Sequence, residues 1–187
     1  GGMSAVGSAA LSAPGFEKRV DDAGLMVALN HALLQEDDTL LLKVKIDALA
    51  GRLMLTGTVQ DVAAHKILQK IVGETDGIRQ VFDYVQVSEA RSFSKVAQDG
   101  LISTRLRTAM MTDQAISAVN FIIRAHRGVV YILGIAPTEE QAIRVVNHAR
   151  TISGVVEVKL EFETVDEMML AFAAAEELSN AEAFRER

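Results

Sequence analysis

The sequence contains no cysteine, no tryptophan and only two prolines, and it has no long apolar run. Without cysteine the chain forms no disulfide, no thiolate metal site and no cysteine nucleophile. Hydrophobic residues make up 49% of the chain, but no apolar stretch approaches the ~20 residues that a membrane-spanning helix needs. The composition is that of an ordinary globular protein.

Motifs for catalysis and cofactor binding are also missing. No glycine-rich phosphate loop is present, and Glu139 and Glu140 open a predicted helix, where carboxylates complement the helix dipole. The histidines fall at no metal-ligand spacing, and none has a counterpart in the internal repeat described below. They are His31, His65, His126 and His148. The sequence therefore predicts no enzyme, no metal site, no cofactor and no small-molecule substrate.

Acidic residues outnumber basic ones, and the net charge of −6 argues against general nucleic-acid binding. The segment from Arg91 to Leu160 departs from this average, with nine basic and five acidic residues and hence a net charge of +4. This contrast predicts that only this segment meets an anionic partner. In the alternative interpretation, both segments present solvated surfaces that merely differ in charge.

The chain is an internal duplication with an offset of 77 residues, the difference between positions 51 and 128. Sliding the sequence along itself by that offset, without a gap, superposes Asp22 on Asp99 and three glycines on three others. The glycine pairs are Gly51 and Gly128, Gly57 and Gly134, and Gly77 and Gly154. A repeat of this length indicates two copies of one small domain. Because units of about 70 residues bury a modest share of their surface, we expect the copies to pack on each other.

Each copy is predicted to fold in the order α-β-β-α-β. A helical pattern follows Asp22 and Asp99, which are interpreted as N-caps, and two alternating strands follow the helix. Two-residue turns join these strands into a hairpin. Glycine weakens a strand, so Gly57 and Gly134 within the second strands predict a bulge or the close approach of a neighbouring backbone.

A second helix is predicted after Asp61 in the first copy and after Thr138 in the second. Thr138 and Gln141 have the spacing of a capping box. Gly77 and Gly154 end these helices, and we expect them to supply a positive φ before the last strand. The last strands are predicted at 78–87 and 155–162.

Two aromatic side chains of the first copy's last strand lie on the face opposite to its valines. They are Phe82 and Tyr84. Exposed aromatics on a sheet need a cover, so we predict that both contribute to the contact between the copies. Binding of an external ligand is the alternative.

The repeat stops after Phe162, and the tail that follows favours a helix. Met168, Met169, Phe172 and Ala175 are predicted to point toward one side of this helix. The helix either covers the second domain's sheet or the groove between the copies, or it docks on another chain.

The repeated unit resembles the BON domain (bacterial OsmY and nodulation). The resemblance rests on the glycines of segments 50–59 and 128–134 and on the turns at 76–78 and 153–155. It implies an α+β fold of two tandem BON domains, each a three-stranded mixed sheet with two helices packed on one face, plus a C-terminal helix. The expected boundaries are a leader or tether at 1–17, the domains at 18–90 and 91–165, and a helical extension at 166–187.

Among BON proteins, the chain resembles the DolP-type lipoproteins of the Gram-negative outer membrane. This resemblance implies a non-enzymatic protein on the periplasmic side of that membrane, which supports envelope integrity and binds anionic phospholipid through the first helix of its second domain. The family places an exposed aromatic at Leu101, so this sequence departs from the pattern there.

Helical spacing independently turns Thr104, Arg107 and Met111 away from the buried stripe of that helix. Arginines beside exposed apolar groups are typical of an interfacial helix. In the alternative interpretation, Leu101 and Met111 pack against the other domain. The candidate lipid-binding residues are Leu101, Thr104, Arg105, Arg107, Thr108 and Met111.

The small-residue leader fits a tether behind a lipidated cysteine that would precede Gly1, and the alternative is that the first two glycines are a cloning remnant. A native chain without lipid would be a soluble periplasmic protein. A second functional hypothesis is an adaptor for other envelope proteins, without lipid affinity. It would act through Phe82 and Tyr84 or through the C-terminal helix.

Overall fold

The computed structural model describes residues 21–187, and the predicted leader at 1–17 lies outside this range. The elements of the first copy are α1 (Asp22–Glu36), α2 (Leu40–Lys43), β1 (Val44–Leu49), β2 (Arg52–Val59), α3 (Val62–Gly73), β3 (Gln80–Asp83) and β4 (Gln86–Val87). Those of the second copy are α4 (Phe93–Thr112), a 3-10 turn (Ala118–Asn120), β5 (Phe121–His126), β6 (Val129–Ala136), α5 (Glu139–Thr151) and β7 (Glu157–Thr164). The helix α6 (Val165–Arg185) follows.

Each copy forms a mixed sheet around its second strand. β2 pairs antiparallel with β1 and parallel with β3 and β4, and β6 pairs antiparallel with β5 and parallel with β7. The two main helices of each copy cover one face of its sheet, and side chains such as Leu29 and Leu68, or Leu106 and Val145, are fully buried beneath them. The predicted α+β class with two tandem units is confirmed.

The last strands differ from the predicted ranges. The first copy's strand is divided into β3 and β4 at residues 84 and 85, which lie opposite Thr56 and Gly57 of β2, and the Val85 N–H donates there to the Asp83 carboxylate at 3.0 Å. In the second copy β7 is continuous, but it begins and ends two residues later than predicted.

The predicted capping box at Thr138 and Gln141 is wrong. Thr138 is the N-cap of α5, but its side chain accepts no cap hydrogen bond. Gln141 is buried, and its Oε1 accepts a hydrogen bond from the Ser117 N–H at 3.2 Å, so this side chain holds the preceding loop instead. A capping box does form at the start of α6, between Thr164 and Glu167.

Asp22 and Asp99 are not the N-caps that the sequence predicted. The N-cap of α1 is Asp21, and α4 begins at Phe93, so that Asp99 lies inside the helix. Each carboxylate instead accepts two backbone N–H groups from the hairpin turn of its own copy. The N···O distances are 2.7 and 2.8 Å for Asp22, and 2.9 and 3.0 Å for Asp99.

Both residues of each hairpin turn have positive φ, which is the conformation of a type I′ turn. The φ values are 53° at Ala50 and 77° at Gly51, and 54° at Arg127 and 76° at Gly128. Alanine and arginine adopt positive φ at a cost. The two hydrogen bonds to the aspartate of each copy offset that cost and fix the turn to the first helix.

The remaining glycines meet different neighbours in the two copies. Gly77 and Gly154 have φ values of +90° and +95° before the last strands. Gly57 has a φ of +125°, and a Cβ atom there would overlap the carbonyl oxygen of Lys43. A Cβ atom at Gly134 would overlap the Phe121 ring. The two strand glycines therefore make room for a backbone in one copy and for a side chain in the other.

The two sheets pack face to face through the surfaces that their helices leave uncovered. Met54 of β2 and Tyr131 of β6 are buried in one cluster at this interface. Asp47 and Arg124 form a bidentate ion pair across it, with N···O distances of 2.8 and 2.7 Å. In both pairs the partners are 77 positions apart. Because a residue contacts its own counterpart only on a two-fold axis, a pseudo-two-fold axis runs between the sheets.

Contacts away from this axis occur in related pairs. Thr58 Oγ1 hydrogen-bonds to His126 Nε2 at 2.7 Å. The counterparts of these residues, Ile135 and Leu49, pack in another cluster of the interface. The same reciprocity holds for the strands, since β1 contacts β6 and β2 contacts β5. The interface thus has the pattern of a symmetric dimer within one chain.

His126 is expected to make this interface sensitive to acid. Burial lowers the pKa of His126, the charges of Arg91 and Arg127 lower it further, and Asp99 opposes them. An unfolded histidine has a pKa of about 6.5, so below that pH the unfolded chain takes up a proton that the folded chain resists. Stability should therefore fall as the pH drops from about 7 through the folded-state pKa. Urea unfolding at a series of pH values measures this slope.

The variant His126→Gln keeps a hydrogen-bonding group near Thr58 and removes the titration. Its stability should depend less on pH than that of the wild type between about pH 7 and pH 5. The pKa of His126 can also be read from its ring protons by NMR. A value at or above that of an unfolded histidine would contradict the prediction.

Candidate functional site

The outer face of α4 carries exposed apolar side chains beside basic ones. Phe93 is 89% exposed, Leu101 is 55% exposed and Met111 is 78% exposed. Ile102, Leu106 and Met110 form the buried stripe of the helix. Neither Leu101 nor Met111 is thus covered by the other domain. Among the predicted lipid-binding residues, Thr104, Arg105, Arg107 and Thr108 are exposed as well.

The threonines of this face satisfy their hydroxyl groups within the helix. Thr104 Oγ1 donates to the Gly100 carbonyl at 3.0 Å, Thr108 Oγ1 to the Thr104 carbonyl at 3.0 Å, and Thr112 Oγ1 to the Thr108 carbonyl at 3.1 Å. A hydroxyl that already donates to its own helix costs less to remove from water than an unpaired one. The middle of the face can therefore meet an apolar surface.

Phe93 and Val96 were missed by the sequence reasoning, because the helix was predicted to begin after Asp99. The structure extends α4 to Phe93 and exposes both side chains. Where the family has an exposed aromatic, this sequence has Leu101, but it carries the exposed aromatic Phe93 about two turns earlier on the same helix. A signal for this extension exists in the sequence, since Ser92, directly before Phe93, is a residue type that favours the N-cap position.

The corresponding helix of the first copy differs in charge. α1 exposes Val27 and Leu34, and Leu34 is the counterpart of Met111. It contains no lysine or arginine, however, whereas α4 contains Lys95, Arg105 and Arg107. Within residues 21–187, exposed apolar groups and cations therefore occur together on the first helix of the second copy and not on that of the first copy.

Phe82 and Tyr84 lie beside the cluster that joins the two sheets, together with Met54 and Tyr131. The rings of Tyr84 and Tyr131 are 4.8 Å apart, and the Tyr84 hydroxyl donates to the Glu161 carboxylate. Burial raises the pKa of Tyr84, and the hydrogen bond to Glu161 raises it further. These aromatics are partly buried between the copies.

The start of α6 lies in the groove between the copies. Met168 and Phe172 are buried there in one cluster with Ala50 and Ile135. Met169 and Ala175, which were predicted on the same side, are exposed. The helix continues beyond this contact and exposes Leu178 and Phe184, the latter by 81%.

Three histidines have polar partners that explain their positions structurally. His65 and His148 lie 2.7 Å from the carboxylates of Asp83 and Asp113, and His126 bonds to Thr58. Hydrogen bonds from Arg144 and then from His148 hold the pKa of Asp113 well below its usual range. The contacts of His65 and His148 tie helices to neighbouring elements, and that of His126 joins β5 to β2. Within residues 21–187, no three histidine, aspartate or glutamate side chains are grouped closely enough to hold a metal ion.

None of the helices in the described part of the chain is both long and apolar enough to cross a bilayer. The structure is that of a tandem α+β protein in which two sheets pack about a pseudo-two-fold axis and the second copy carries a basic, partly apolar helix. The profile of the BON domain matches residues 21–89 and 98–166, and the chain belongs to the BON domain family.

Three curated relatives are similar over most of their own length. An uncharacterised protein in the gshII 5′ region of Anaplasma centrale is 26% identical over 74% of this chain and 91% of that protein. The outer membrane lipoprotein DolP of Haemophilus influenzae is 25% identical over 79% of this chain and 77% of its own. The osmotically-inducible protein Y of Escherichia coli is 21% identical over 78% of this chain and 73% of its own length.

Proposed function

We propose that this protein binds membrane surfaces that contain anionic phospholipid, through the outer face of α4, and that its role is not catalytic. The observation that carries the proposal is the combination of exposed Phe93, Leu101 and Met111 with Arg105 and Arg107 on one helix. Apolar groups that enter the interface and cations that remain near the phosphates both stabilise a helix lying on a membrane.

The expected energies fit reversible binding. Each lysine or arginine near an anionic surface contributes about 1 kcal/mol. Full burial of a large apolar side chain contributes about 1.5–3 kcal/mol, and partial insertion contributes less. The helix hydroxyls of Thr104 and Thr108 add little cost, because they already donate within α4.

The similarity to an outer membrane lipoprotein supports a place in the bacterial envelope. We infer that the protein acts on the periplasmic side of the outer membrane, where it supports envelope integrity. A lipid anchor before residue 1 would keep α4 close to the membrane and raise its effective concentration there. Without an anchor, the same helix would bind reversibly from the soluble periplasm.

The test is co-sedimentation of the chain with vesicles of neutral lipid, and of neutral lipid mixed with phosphatidylglycerol or cardiolipin, at low and moderate salt. We expect binding to the anionic vesicles only, weakened by salt. The variant Phe93→Ser/Met111→Ser should lose about tenfold or more in affinity, because it removes two inserting groups.

The matched control is Val27→Ser/Leu34→Ser, which makes the same kind of change on the exposed face of α1. It should bind like the wild type. Equal binding to neutral and anionic vesicles, or equal loss in both variants, would contradict the proposal, because the site would then not be the basic helix of the second copy.

A second candidate function is that of an adaptor for another envelope protein through α6. It is favoured by the exposure of Leu178 and Phe184 beyond the part of the helix that packs in the groove. Phe82 and Tyr84 are less suited to this role, because they lie at the contact between the copies. Leu178→Ser/Phe184→Ser should leave vesicle binding unchanged if the lipid proposal is correct.

A further inference from the structure

A cavity of about 470 Å³ lies beside the N-terminal half of α4, against the hairpin turn of the second copy. This volume is within the range of small-molecule sites. Four of its lining residues are basic, and Asp99 is the one acidic residue among them. The basic residues are Arg91, Lys95, Arg105 and Arg127.

Asp99 offsets one of these four positive charges and leaves three. Its Oδ2 accepts hydrogen bonds from the Arg91 guanidinium and the Arg127 N–H, and its Oδ1 accepts one from the Gly128 N–H. Burial opposes the ionisation of Asp99, but these hydrogen bonds outweigh it, so the pKa of Asp99 lies below the ordinary value. Lys95, Arg105 and the Arg127 guanidinium form no ion pair with any residue between 21 and 187.

Two of the arginines have donors that remain unpaired. The Arg91 side chain is only 9% exposed, and the Nε atoms of Arg91 and Arg127 are buried without a hydrogen-bond partner in the described part of the chain. A buried donor without a partner costs free energy. An anion with several acceptor oxygens would satisfy such donors and the excess positive charge together.

The first copy provides an internal comparison. Asp22 repeats Asp99, with the same two hydrogen bonds to its turn. Yet Ala28 and Ala50 stand where the second copy has Arg105 and Arg127, and Asp76 stands where it has Ser153. Each of these differences makes the second copy more positive around a shared scaffold.

The pseudo-two-fold axis relates this cavity to the apolar groove that α6 fills. Met168 and Phe172 follow the last strand of the second copy and cover Ala50, the turn residue of the first copy. Arg91 and Lys95 are the counterparts of Met168 and Phe172 in the repeat. They follow the first copy's last strand and lie beside the Arg127 turn. One groove is thus closed by apolar side chains, whereas its counterpart is open and lined by cations.

We propose that this cavity binds the phosphate group of an anionic lipid headgroup, with Arg105 and Arg127 as its principal ligands. The inference rests on the proposed function, since the lipid would be the source of the phosphate. The geometry of a guanidinium group matches that of phosphate, so one arginine can donate two parallel hydrogen bonds to two phosphate oxygens. Leu101 and Arg105 also line the cavity, so a headgroup held there would place its acyl chains beside the exposed face of α4.

The test uses two probes that separate the sources of the phosphate. The first is soluble glycerol phosphate, titrated at constant ionic strength while the amide signals of Gly128 and Gly154 are followed by NMR. The second is a vesicle that contains phosphatidylglycerol. The variant is Arg105→Gln/Arg127→Asn, in which asparagine tolerates the positive φ of the turn. The control is Arg150→Gln, which removes an exposed arginine of α5 that neither lines the cavity nor lies on α4.

We expect saturable shifts in the wild type and in the control, and an affinity reduced about tenfold or more in the double variant for both probes. Unsaturated shifts spread over all basic residues, or equal binding by the double variant, would overturn the proposal. Glycerol phosphate binding without vesicle binding would support phosphate recognition and refute the lipid source. Vesicle binding that is lost only in Phe93→Ser/Met111→Ser would support the membrane function and refute the headgroup cavity.

Discussion

Replacing Gly57 by alanine is expected to lower the free energy of unfolding by about 3–5 kcal/mol. Gly57 has a φ of +125°, which an L residue rarely adopts. A Cβ atom there would overlap the carbonyl oxygen of Lys43 and lie 3.0 Å from the Cα atom of Val44. Both obstacles are backbone atoms at the point where α2 ends and the paired strand β1 begins, so no side chain can move to relieve them. Urea unfolding followed by circular dichroism measures the loss.

The chain offers two controls for this prediction. Gly73 ends α3, has no positive φ, and its Cβ would meet no atom within 4 Å, so Gly73→Ala should change stability by less than about 1 kcal/mol. Gly134→Ala should destabilise through the Phe121 ring, and Phe121→Leu should recover part of that loss. A loss for Gly57→Ala no larger than that for Gly73→Ala would contradict the backbone argument.

The α-β-β-α-β order of the main elements could be predicted from the sequence, because both copies show the same succession of helix, strand and turn patterns, whereas the short helix α2 was not predicted. The role of Asp22 and Asp99 could not be predicted. Their equivalence is visible in the sequence, but their partners are turn N–H groups 28 and 29 residues away. A polar residue before a helical pattern indicates an N-cap when only local spacing is considered, and here tertiary hydrogen bonds decide its role instead.

The candidate site could also be predicted only in part, because local spacing again does not show which distant segments meet. The exposed side of α4 after Asp99 follows from helical spacing, but the start of the helix at Phe93 was missed, because Asp99 is also a residue type that favours an N-cap and a clearer apolar period follows it. The basic cavity combines α4 with the turn at Arg127 and the glycine at 154. Such a combination of distant segments becomes visible only when the fold brings them together.

The pairing between the copies was the least predictable feature. Asp47 and Arg124 each lie on the strand face that is polar when one domain is considered alone. Their pairing at distances of 2.7 and 2.8 Å requires the two sheets to meet about the pseudo-two-fold axis. Sequence reasoning indicated that the copies pack together, but it contained no information on which polar residues would meet.

Exchanging these two residues provides the second large expected effect. Asp47→Arg would place two arginines at the axis, and Arg124→Asp would place two aspartates there. Hydrogen bonding to Asp47 raises the pKa of Arg124, so the guanidinium stays charged and depends on its partner. We expect each single change to cost about 2–4 kcal/mol, because it leaves an unpaired charge in a largely buried place and adds repulsion.

The double variant Asp47→Arg/Arg124→Asp should recover stability to within about 1 kcal/mol of the wild type, because it restores opposite charges across the interface. The recovery is expected to be nearly complete for a reason specific to this fold. The two positions are counterparts in the repeat, so each exchanged side chain enters an environment with the geometry of the one it left. A double variant as unstable as the sum of the single changes would mean that the copies are not related by the pseudo-two-fold axis at this pair. Urea unfolding of the four proteins gives the coupling energy directly.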